Sequence, residues 1–158
     1  MGTATPSLFE TRRIFLDVNS GSLDAALSDM ADRLRESGDI KDPANLALRL
    51  IEREKLGCTG LGNGIAIPHC KLKGLDGVLL AVGVSREGID FHALDGKPVR
   101  LIFLVLSPDE APAIHLQALA RISRLLKTPG IAEGVLASET PEQISRLLLE
   151  AEAKMPIA

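Results

Sequence analysis

The apolar residues in the first third of the chain recur with the spacing of amphipathic helices. The first predicted helix follows Ser22, which can cap it, and its apolar positions recur every three or four residues until Gly38. The second begins after Asp42 at Pro43, a pairing typical of helix starts, and ends at Gly57, which suits a C-terminal turn. The pattern therefore predicts two helices before any long strand.

Two apolar runs in the middle of the chain, Val78 to Val84 and Val99 to Leu106, lack the alternation of a half-exposed strand. Such runs are typical of strands buried on both faces, which need helices above and below the sheet. The connection from Arg86 to Pro98 is rich in turn residues and too short for an ordinary crossover helix. We therefore expect at least one antiparallel pair and a mixed sheet.

A glycine-rich segment, Gly57 to Gly64, separates the helices from these strands and carries four glycines in eight residues, which predicts a loop. It leads into a short apolar stretch that predicts a strand over residues 65–69. Pro68 is expected to stop this strand, because proline cannot donate a hydrogen bond to the sheet.

The last third of the chain predicts three further helical segments. The first runs from Pro112 to about Lys127, the second covers residues 131–136, and the third follows Thr140, which has capping-box spacing to Gln143. The buried side of the first of these is predicted to carry Ile114, Ala118, Ile122, Leu125 and Leu126. Because helices flank buried strands on both sides in sequence, we predict one three-layer α/β domain with helices on both faces of a mixed, mostly buried sheet.

We expect a flexible lead-in over residues 1–11, the domain over residues 12–152 and a frayed tail over residues 153–158. A length of 158 residues suits one domain with a sizeable core, and 46% apolar with 25% charged residues is ordinary for a globular protein. Trp and Tyr are absent and only four Phe are present, which nearly excludes stacking surfaces for single-stranded nucleic acid. The net charge of -3 gives no reason to expect a nucleic-acid or anionic-membrane partner.

The longest apolar stretch is far shorter than the roughly 20 residues that span a bilayer, and the N-terminus lacks a secretory signal pattern. A cytoplasmic protein is therefore expected. Its two cysteines, Cys58 and Cys70, are too few for a disulfide framework and are expected to be free thiols.

Three histidines are the candidates for chemistry. His69 follows Pro68 at the end of a predicted strand, where an imidazole can act as nucleophile, base or metal ligand, although a structural hydrogen bond is an equal alternative. His115 lies in the first turn of a predicted helix, one position off its apolar stripe, and a half-buried packing role is favoured from its position alone. His92 lies in a turn beside acidic residues, and a structural role is strongly favoured there.

Several common sites are disfavoured by the motifs. The glycine-rich segment lacks the Lys-Ser/Thr of a P-loop and precedes a strand where the dinucleotide fingerprint opens a helix. The commonest hydrolase and metalloprotease motifs are also missing. A zinc site made of Cys58, His69, Cys70 and His115 is disfavoured, because structural zinc ligands usually come in pairs two to four residues apart.

The segment 53–69 reads Arg-Glu-Lys-Leu-Gly-Cys-Thr-Gly-Leu-Gly-Asn-Gly-Ile-Ala-Ile-Pro-His. It closely resembles the active-site segment of enzyme IIA proteins of the fructose/mannitol type in the bacterial phosphotransferase system, above all their nitrogen-regulatory branch. The resemblance extends through Phe91-x-Ala-Leu-Asp-Gly-x-Pro98 and His115-Leu-x-x-Leu119, and covers about residues 12 to 152. It implies that His69 accepts a phosphoryl group, that Arg53 stabilises the phosphate, and that His115 donates a hydrogen bond to it.

The resemblance also implies partners. The donor would be the phosphocarrier HPr or its nitrogen-branch relative, and no cofactor is implied, because a phosphohistidine donor needs neither ATP nor magnesium. A nitrogen-branch protein would then act on regulatory targets such as kinases or potassium transporters, whereas a sugar-specific enzyme IIA would pass the group to a IIB component. A binding module with structural histidines is the alternative from another class, and the oligomeric state is open.

Cys70 departs from the family pattern, which usually has glycine at this position. The departure places an oxidisable thiol beside the nucleophile, and it suggests that thiol modification could interfere with phosphorylation.

Overall fold

A computed structural model describes residues 8–155 of the chain. The helices among these residues are α1 (Leu23–Glu36), α2 (Pro43–Leu56), α3 (Pro112–Leu126), α4 (Ile131–Ala137) and α5 (Pro141–Ala153), and a short 3₁₀ turn covers Thr11–Arg13. The strands are β1 (Ile14–Phe15), β2 (Gly60–Gly62), β3 (Ile65–Ala66), β4 (His69–Leu72), β5 (Leu79–Ile89) and β6 (Val99–Pro108).

These strands form one mixed sheet with the order β1-β5-β6-β3-β2, in which β4 also pairs with β6. The two long strands, β5 and β6, are antiparallel, as their short connection predicts. β1 runs parallel to β5, and both β3 and β4 run parallel to β6. The predicted mixed sheet is therefore confirmed.

The sheet is covered on both faces. Alternate side chains of β5 and β6 contribute to two separate clusters, because successive residues of a strand point to opposite sides. Ala81 and Leu104 pack with α1 and α2, whereas Leu80 and Phe103 pack with α3, α4 and α5. The three-layer α/β architecture is confirmed, and the double burial explains why these strands read as continuous apolar runs.

The helix starts that the sequence predicts are also confirmed. The side chains of Ser22 and Asp42 accept hydrogen bonds from backbone N–H groups three residues later, at 3.0 and 3.1 Å. Thr140 accepts from the N–H of Gln143 at 3.2 Å, and the Gln143 side chain accepts in turn from the N–H of Glu139 at 2.7 Å. Each cap satisfies a backbone donor that the helix leaves without a partner.

The prediction of one strand over residues 65–69 is wrong about where the strand ends. β3 stops at Ala66, and β4 begins at His69 and runs on to Leu72 along the same neighbour. Pro68 interrupts the pairing without ending it, because its carbonyl accepts from the N–H of Val105 at 2.9 Å. Proline removes a donor from the sheet but keeps its acceptor.

The glycine-rich segment is only partly a loop. Gly60–Gly62 forms β2, which pairs antiparallel with β3 across Asn63 and Gly64. Both turn residues have positive φ, 57° and 82°, the conformation that an Asn-Gly hairpin turn requires. The segment therefore builds a small hairpin at one edge of the sheet.

The predicted buried face of α3 is wrong at its first position. Ile114 is 47% exposed, whereas its neighbour His115 is 6% exposed. The first turn of α3 directs His115 at β6, where it has a hydrogen-bond partner. Ala118 is half-buried, and the remaining predicted positions, Ile122, Leu125 and Leu126, are buried as expected.

Of the predicted lead-in over residues 1–11, the structure describes residues 8–11. Phe9 is buried in the cluster beneath α5, and its carbonyl accepts a hydrogen bond from the Ser145 hydroxyl at 2.5 Å. Leu8 and Phe9 therefore contact the core, while residues 1–7 of the lead-in and residues 156–158 of the tail lie outside the described residues. The domain boundaries at residues 12 and 152 stay predictions.

Candidate functional site

His69 is placed by the parallel pairing of β4 with β6. It lies opposite Val105, a member of the cluster beneath α3, so His69 is on the sheet face that carries α3. Its Nδ1 lies 2.8 Å from the carbonyl oxygen of Ile67. Because a carbonyl only accepts, Nδ1 carries the proton in this bond, and the neutral ring keeps a free electron pair on Nε2.

His115 approaches His69 from the first turn of α3. The two ring centroids are 5.4 Å apart and the ring planes are inclined by 53°. Nδ1 of His115 lies 2.7 Å from the hydroxyl oxygen of Ser107 near the end of β6. Burial lowers the pKa of His115 below its usual value, and the charges of His69 and Lys71 lower it further, which favours a neutral ring at pH 7.

Two arginines of α2 stand on the opposite side of the site. Arg53, in the last turn, donates from Nη1 to the carbonyl of Gly57 at 3.0 Å. Arg49, one turn earlier, donates from Nη1 to the carbonyl of Lys71 at 3.2 Å and so ties α2 to the strand that carries His69. Arg53 lies in the last turn of α2, where the helix dipole favours positive charge.

An open cleft of about 630 Å³ joins these groups at the edge of the sheet, between α2 and α3. It is lined by Arg49, Glu52, Arg53, Leu56, His69, Cys70, Lys71 and His115. The structure therefore brings together all three residues that the resemblance marks, although 46 positions separate the two histidines. A permanently charged guanidinium, an imidazole with a free electron pair and a second imidazole are suited to bind and accept a phosphoryl group.

The sequence is matched over residues 7–151 by the family model described as "Phosphoenolpyruvate-dependent sugar phosphotransferase system, EIIA 2". The chain belongs to this family. The match covers all five helices except the last two residues of α5 and includes every residue of the cleft. The resemblance drawn from the segment 53–69 is confirmed.

Relatives of this EIIA chain include nitrogen regulatory proteins and fructose-specific components. The nitrogen regulatory protein of Pseudomonas aeruginosa is 35% identical over 138 residues, which are 87% of this chain and 90% of the relative. The fructose-specific EIIA component of Haloferax volcanii is 34% identical over 137 residues, with 87% and 89% covered. The crystal structure of the nitrogen regulatory protein IIA-Ntr from Neisseria meningitidis superposes with a TM-score of 0.80 at 34% identity, covering 89% of this chain and 96% of that one.

Three residues that line this EIIA site or contact its histidines are not evident from the sequence alone. Lys71 lies two positions after His69 on the same strand, so the strand period could have placed it on the same face. Ser107 is the first polar residue after the apolar run of β6, eight positions before His115. Arg49 is one helical turn before Arg53, and only the contact of α2 with β4 shows that it lines the cleft.

The two cysteines of the EIIA chain have separate surroundings. Cys70 points to the other face of β4 and packs against the cluster beneath α1 and α2, and burial raises the pKa of its thiol to about 12. Cys58 lines a different depression beside Phe91, and its sulfur accepts from the N–H of Gly60 at 3.2 Å. Within residues 8–155, no three His, Cys, Asp or Glu side chains are arranged to hold a metal ion.

His92 lies outside the cleft, in the turn between β5 and β6. Its side chain is largely exposed, and its backbone N–H donates to the Asp90 carboxylate at 2.8 Å. As for the membrane, none of the helices in the described part of the chain is both long and apolar enough to cross one.

Proposed function

We propose that His69 of this phosphotransferase-system component accepts a phosphoryl group on Nε2 from a phosphohistidine of an HPr-like carrier, and that the chain acts as a nitrogen-branch regulator in the cytoplasm. The observation that carries the proposal is the Nδ1 contact of His69 with the carbonyl of Ile67. This contact leaves Nε2 as the free nucleophilic atom of a ring that lines a cationic cleft.

The transfer exchanges one nitrogen–phosphorus bond for another. The electron pair of His69 Nε2 attacks phosphorus while the bond to the carrier's histidine breaks, and its electron pair stays on the carrier's nitrogen. The His69 ring gains positive charge as its bond to phosphorus forms. Its Nδ1–H keeps donating to the carbonyl of Ile67, and this hydrogen bond strengthens as the charge develops.

The other groups in the cleft bind the oxygens of the transferring group. The guanidinium of Arg53 supplies a fixed charge with several donors, and rotation of its side chain away from Gly57 would present them to phosphate. Neutral His115 supplies one further donor without adding a charge that would repel the ring of His69. The carrier delivers an activated phosphoryl group, so the step needs neither nucleotide nor magnesium.

The first test is phosphorylation by phosphoenolpyruvate, enzyme I and an HPr-like carrier. Wild type is expected to gain one acid-labile phosphate, and His69→Gln none. Arg53→Lys should slow transfer about 10- to 100-fold, because a point charge replaces the guanidinium fork. Lys55→Ala, which removes a cation from the same helical turn but outside the cleft, should keep the wild-type rate. Equal labelling of wild type and His69→Gln would refute the proposal.

A second candidate is a sugar-specific enzyme IIA, supported by the 34% identity to the fructose-specific component of Haloferax volcanii. The two candidates differ in where the phosphoryl group goes next. A regulator keeps it until the carrier takes it back and binds its targets according to its phosphorylation state, whereas a sugar-specific protein passes it rapidly to a IIB component. Chasing the labelled chain with purified fructose and mannitol IIB proteins separates them: retention supports the regulator, and loss to IIB supports the sugar-specific role.

A binding module that transfers no phosphoryl group is the third candidate, and it predicts a different result. In that case, binding of a partner would be the same for wild type, His69→Gln and protein treated with the phosphorylating system. The regulator predicts instead that partner binding changes on phosphorylation and that His69→Gln stays locked in the unphosphorylated response.

A further inference from the structure

Ser107 occupies a buried position behind the second histidine. It is the last fully buried residue of β6, with 0% of its surface exposed, and lies opposite Lys71 of β4. Its hydroxyl oxygen is 2.7 Å from Nδ1 of His115. The pair links the end of a central strand to the first turn of α3.

The surroundings of Ser107 decide which group donates in this hydrogen bond. Among residues 8–155, His115 is the one hydrogen-bond partner of the Ser107 side chain. If Nδ1–H donated to the hydroxyl oxygen, the serine proton would be buried without an acceptor, which is costly in a protein interior. If the hydroxyl donates to Nδ1, the serine is satisfied, and the proton of the neutral imidazole is on Nε2.

The Nε2 atom of His115 is free to use that proton. It has no hydrogen-bond partner in the described part of the chain, and it is not among the fully buried side-chain atoms that lack one. It therefore reaches the surface of the cleft, which His115 lines together with His69.

We propose that Ser107 is a positioning residue that fixes His115 in the Nε2–H tautomer. The two histidines of the site are then held in opposite tautomers by their Nδ1 partners. The Ile67 carbonyl leaves Nε2 of His69 bare, and the Ser107 hydroxyl leaves Nε2 of His115 protonated. The first ring is a nucleophile, and the second is a hydrogen-bond donor that does not compete for the phosphoryl group. The effect on transfer rests on the proposed function, whereas the tautomer itself does not.

The test begins with ring-nitrogen NMR spectra of the unphosphorylated full chain, labelled with ¹⁵N and assigned with His69→Gln, His92→Gln and His115→Gln. Wild type at neutral pH is expected to show His69 as Nδ1–H and His115 as Nε2–H. In Ser107→Ala, His115 should become a mixture of both tautomers. Phosphorylation of His69 should slow by about tenfold, by analogy with the loss on removing the partner that orients a metal-bound histidine.

Ser85→Ala is the matched control, because Ser85 is also a buried strand serine, on β5, with its hydroxyl bonded to the N–H of Gly88. This variant should keep both tautomers and the wild-type rate. An Nδ1–H tautomer of His115 in wild type overturns the inference even if Ser107→Ala does not fold. An unchanged Nε2–H tautomer in folded Ser107→Ala overturns it as well. Failure of wild type to accept phosphate would refute the proposed function and leave the tautomer result to decide the inference.

Discussion

At the scale of single residues, the atom next to each Nδ1 distinguishes the three histidines. Nδ1 of His69 faces a carbonyl, Nδ1 of His115 faces a buried hydroxyl, and Nδ1 of His92 lies 3.6 Å from an exposed carboxylate of Asp90. The three imidazoles therefore differ: Nε2 of His69 carries no proton, Nε2 of His115 is protonated, and the ring of His92 is solvated. The partners are a backbone or side-chain atom two to eight positions away in sequence, which explains how one chain can assign separate roles to one residue type.

At this scale, the buried thiol of Cys70 leads to a prediction of how its alkylation rate depends on pH. Its pKa is raised from 9.0 to about 12, first by burial and then by the charge of Asp109, against the opposing effect of Arg49. At pH 8 its thiolate fraction is then lower by roughly a thousandfold than that of a thiol with the ordinary pKa. In Cys58→Ser, where Cys70 is the one thiol left, alkylation by iodoacetamide should be correspondingly slow and should keep accelerating above pH 10.

The comparison for this prediction is a small-molecule thiol of pKa 9 under the same conditions, with the folded state checked by circular dichroism. A rate for Cys70 that levels off near pH 9 would contradict the prediction. Slow reaction would also argue against the idea that oxidation of Cys70 regulates His69, because the thiolate is the form that oxidants attack.

At the scale of elements, the junction between α2 and β2 holds Arg53 in place. Glu54, in the last turn of α2, is buried and accepts hydrogen bonds from both the N–H and the hydroxyl of Thr59. Glu54→Ala leaves both donors of Thr59 without their acceptor, so we expect a loss of about 1–3 kcal/mol in the free energy of unfolding. Urea unfolding measures the loss, and phosphorylation should slow in parallel because the adjacent Arg53 loses its fixed position.

Glu52→Ala is the stability control for this junction, because Glu52 is an exposed carboxylate of the same helix. Its removal should change the free energy of unfolding by less than about 0.5 kcal/mol. Combining Glu54→Ala with Thr59→Ala should cost less than the sum of the two single changes, since the two residues share their hydrogen bonds. Additive costs would show that Glu54 stabilises the protein by another route.

The elements also show where sequence patterns succeed and fail. The caps at Ser22 and Asp42 and the apolar runs of β5 and β6 are local signals, and the structure confirms them. β4 gives no such signal, because all four of its residues are half-buried beside the cleft and show no alternation. Hydrophobicity also misassigns the first turn of α3, where His115 takes the inward position and bonds to Ser107 while Ile114 is exposed.

The candidate site depends still more on long-range pairing. The residues that meet in the cleft come from α2, β4 and α3, and parallel pairing of β4 with β6 brings the histidines together. Position alone favours a packing role for His115. The family resemblance instead marks His115 for the site, and the structure places its ring in the cleft beside His69.

At the scale of the whole molecule, β5 and β6 belong to both apolar clusters at once. Successive residues of each strand pack beneath α1 and α2 on one face and beneath α3, α4 and α5 on the other. Neither cluster can lose its packing without exposing the strands that support the other. We therefore expect the two faces to unfold as one cooperative unit, although they share no helix.

This cooperativity is testable with one core truncation on each face. Leu27 of α1 and Leu148 of α5 are both fully buried, and each substitution by alanine should cost about 2–5 kcal/mol of the free energy of unfolding. Leu149→Ala is the matched control, because Leu149 is 38% exposed and its truncation should cost less than about 1 kcal/mol. Methyl NMR signals from the two faces, followed through a urea titration, should disappear at one midpoint in wild type and in every variant. A lower midpoint confined to the truncated face would show that each cluster folds independently, and the shared strands would then support the faces without coupling them.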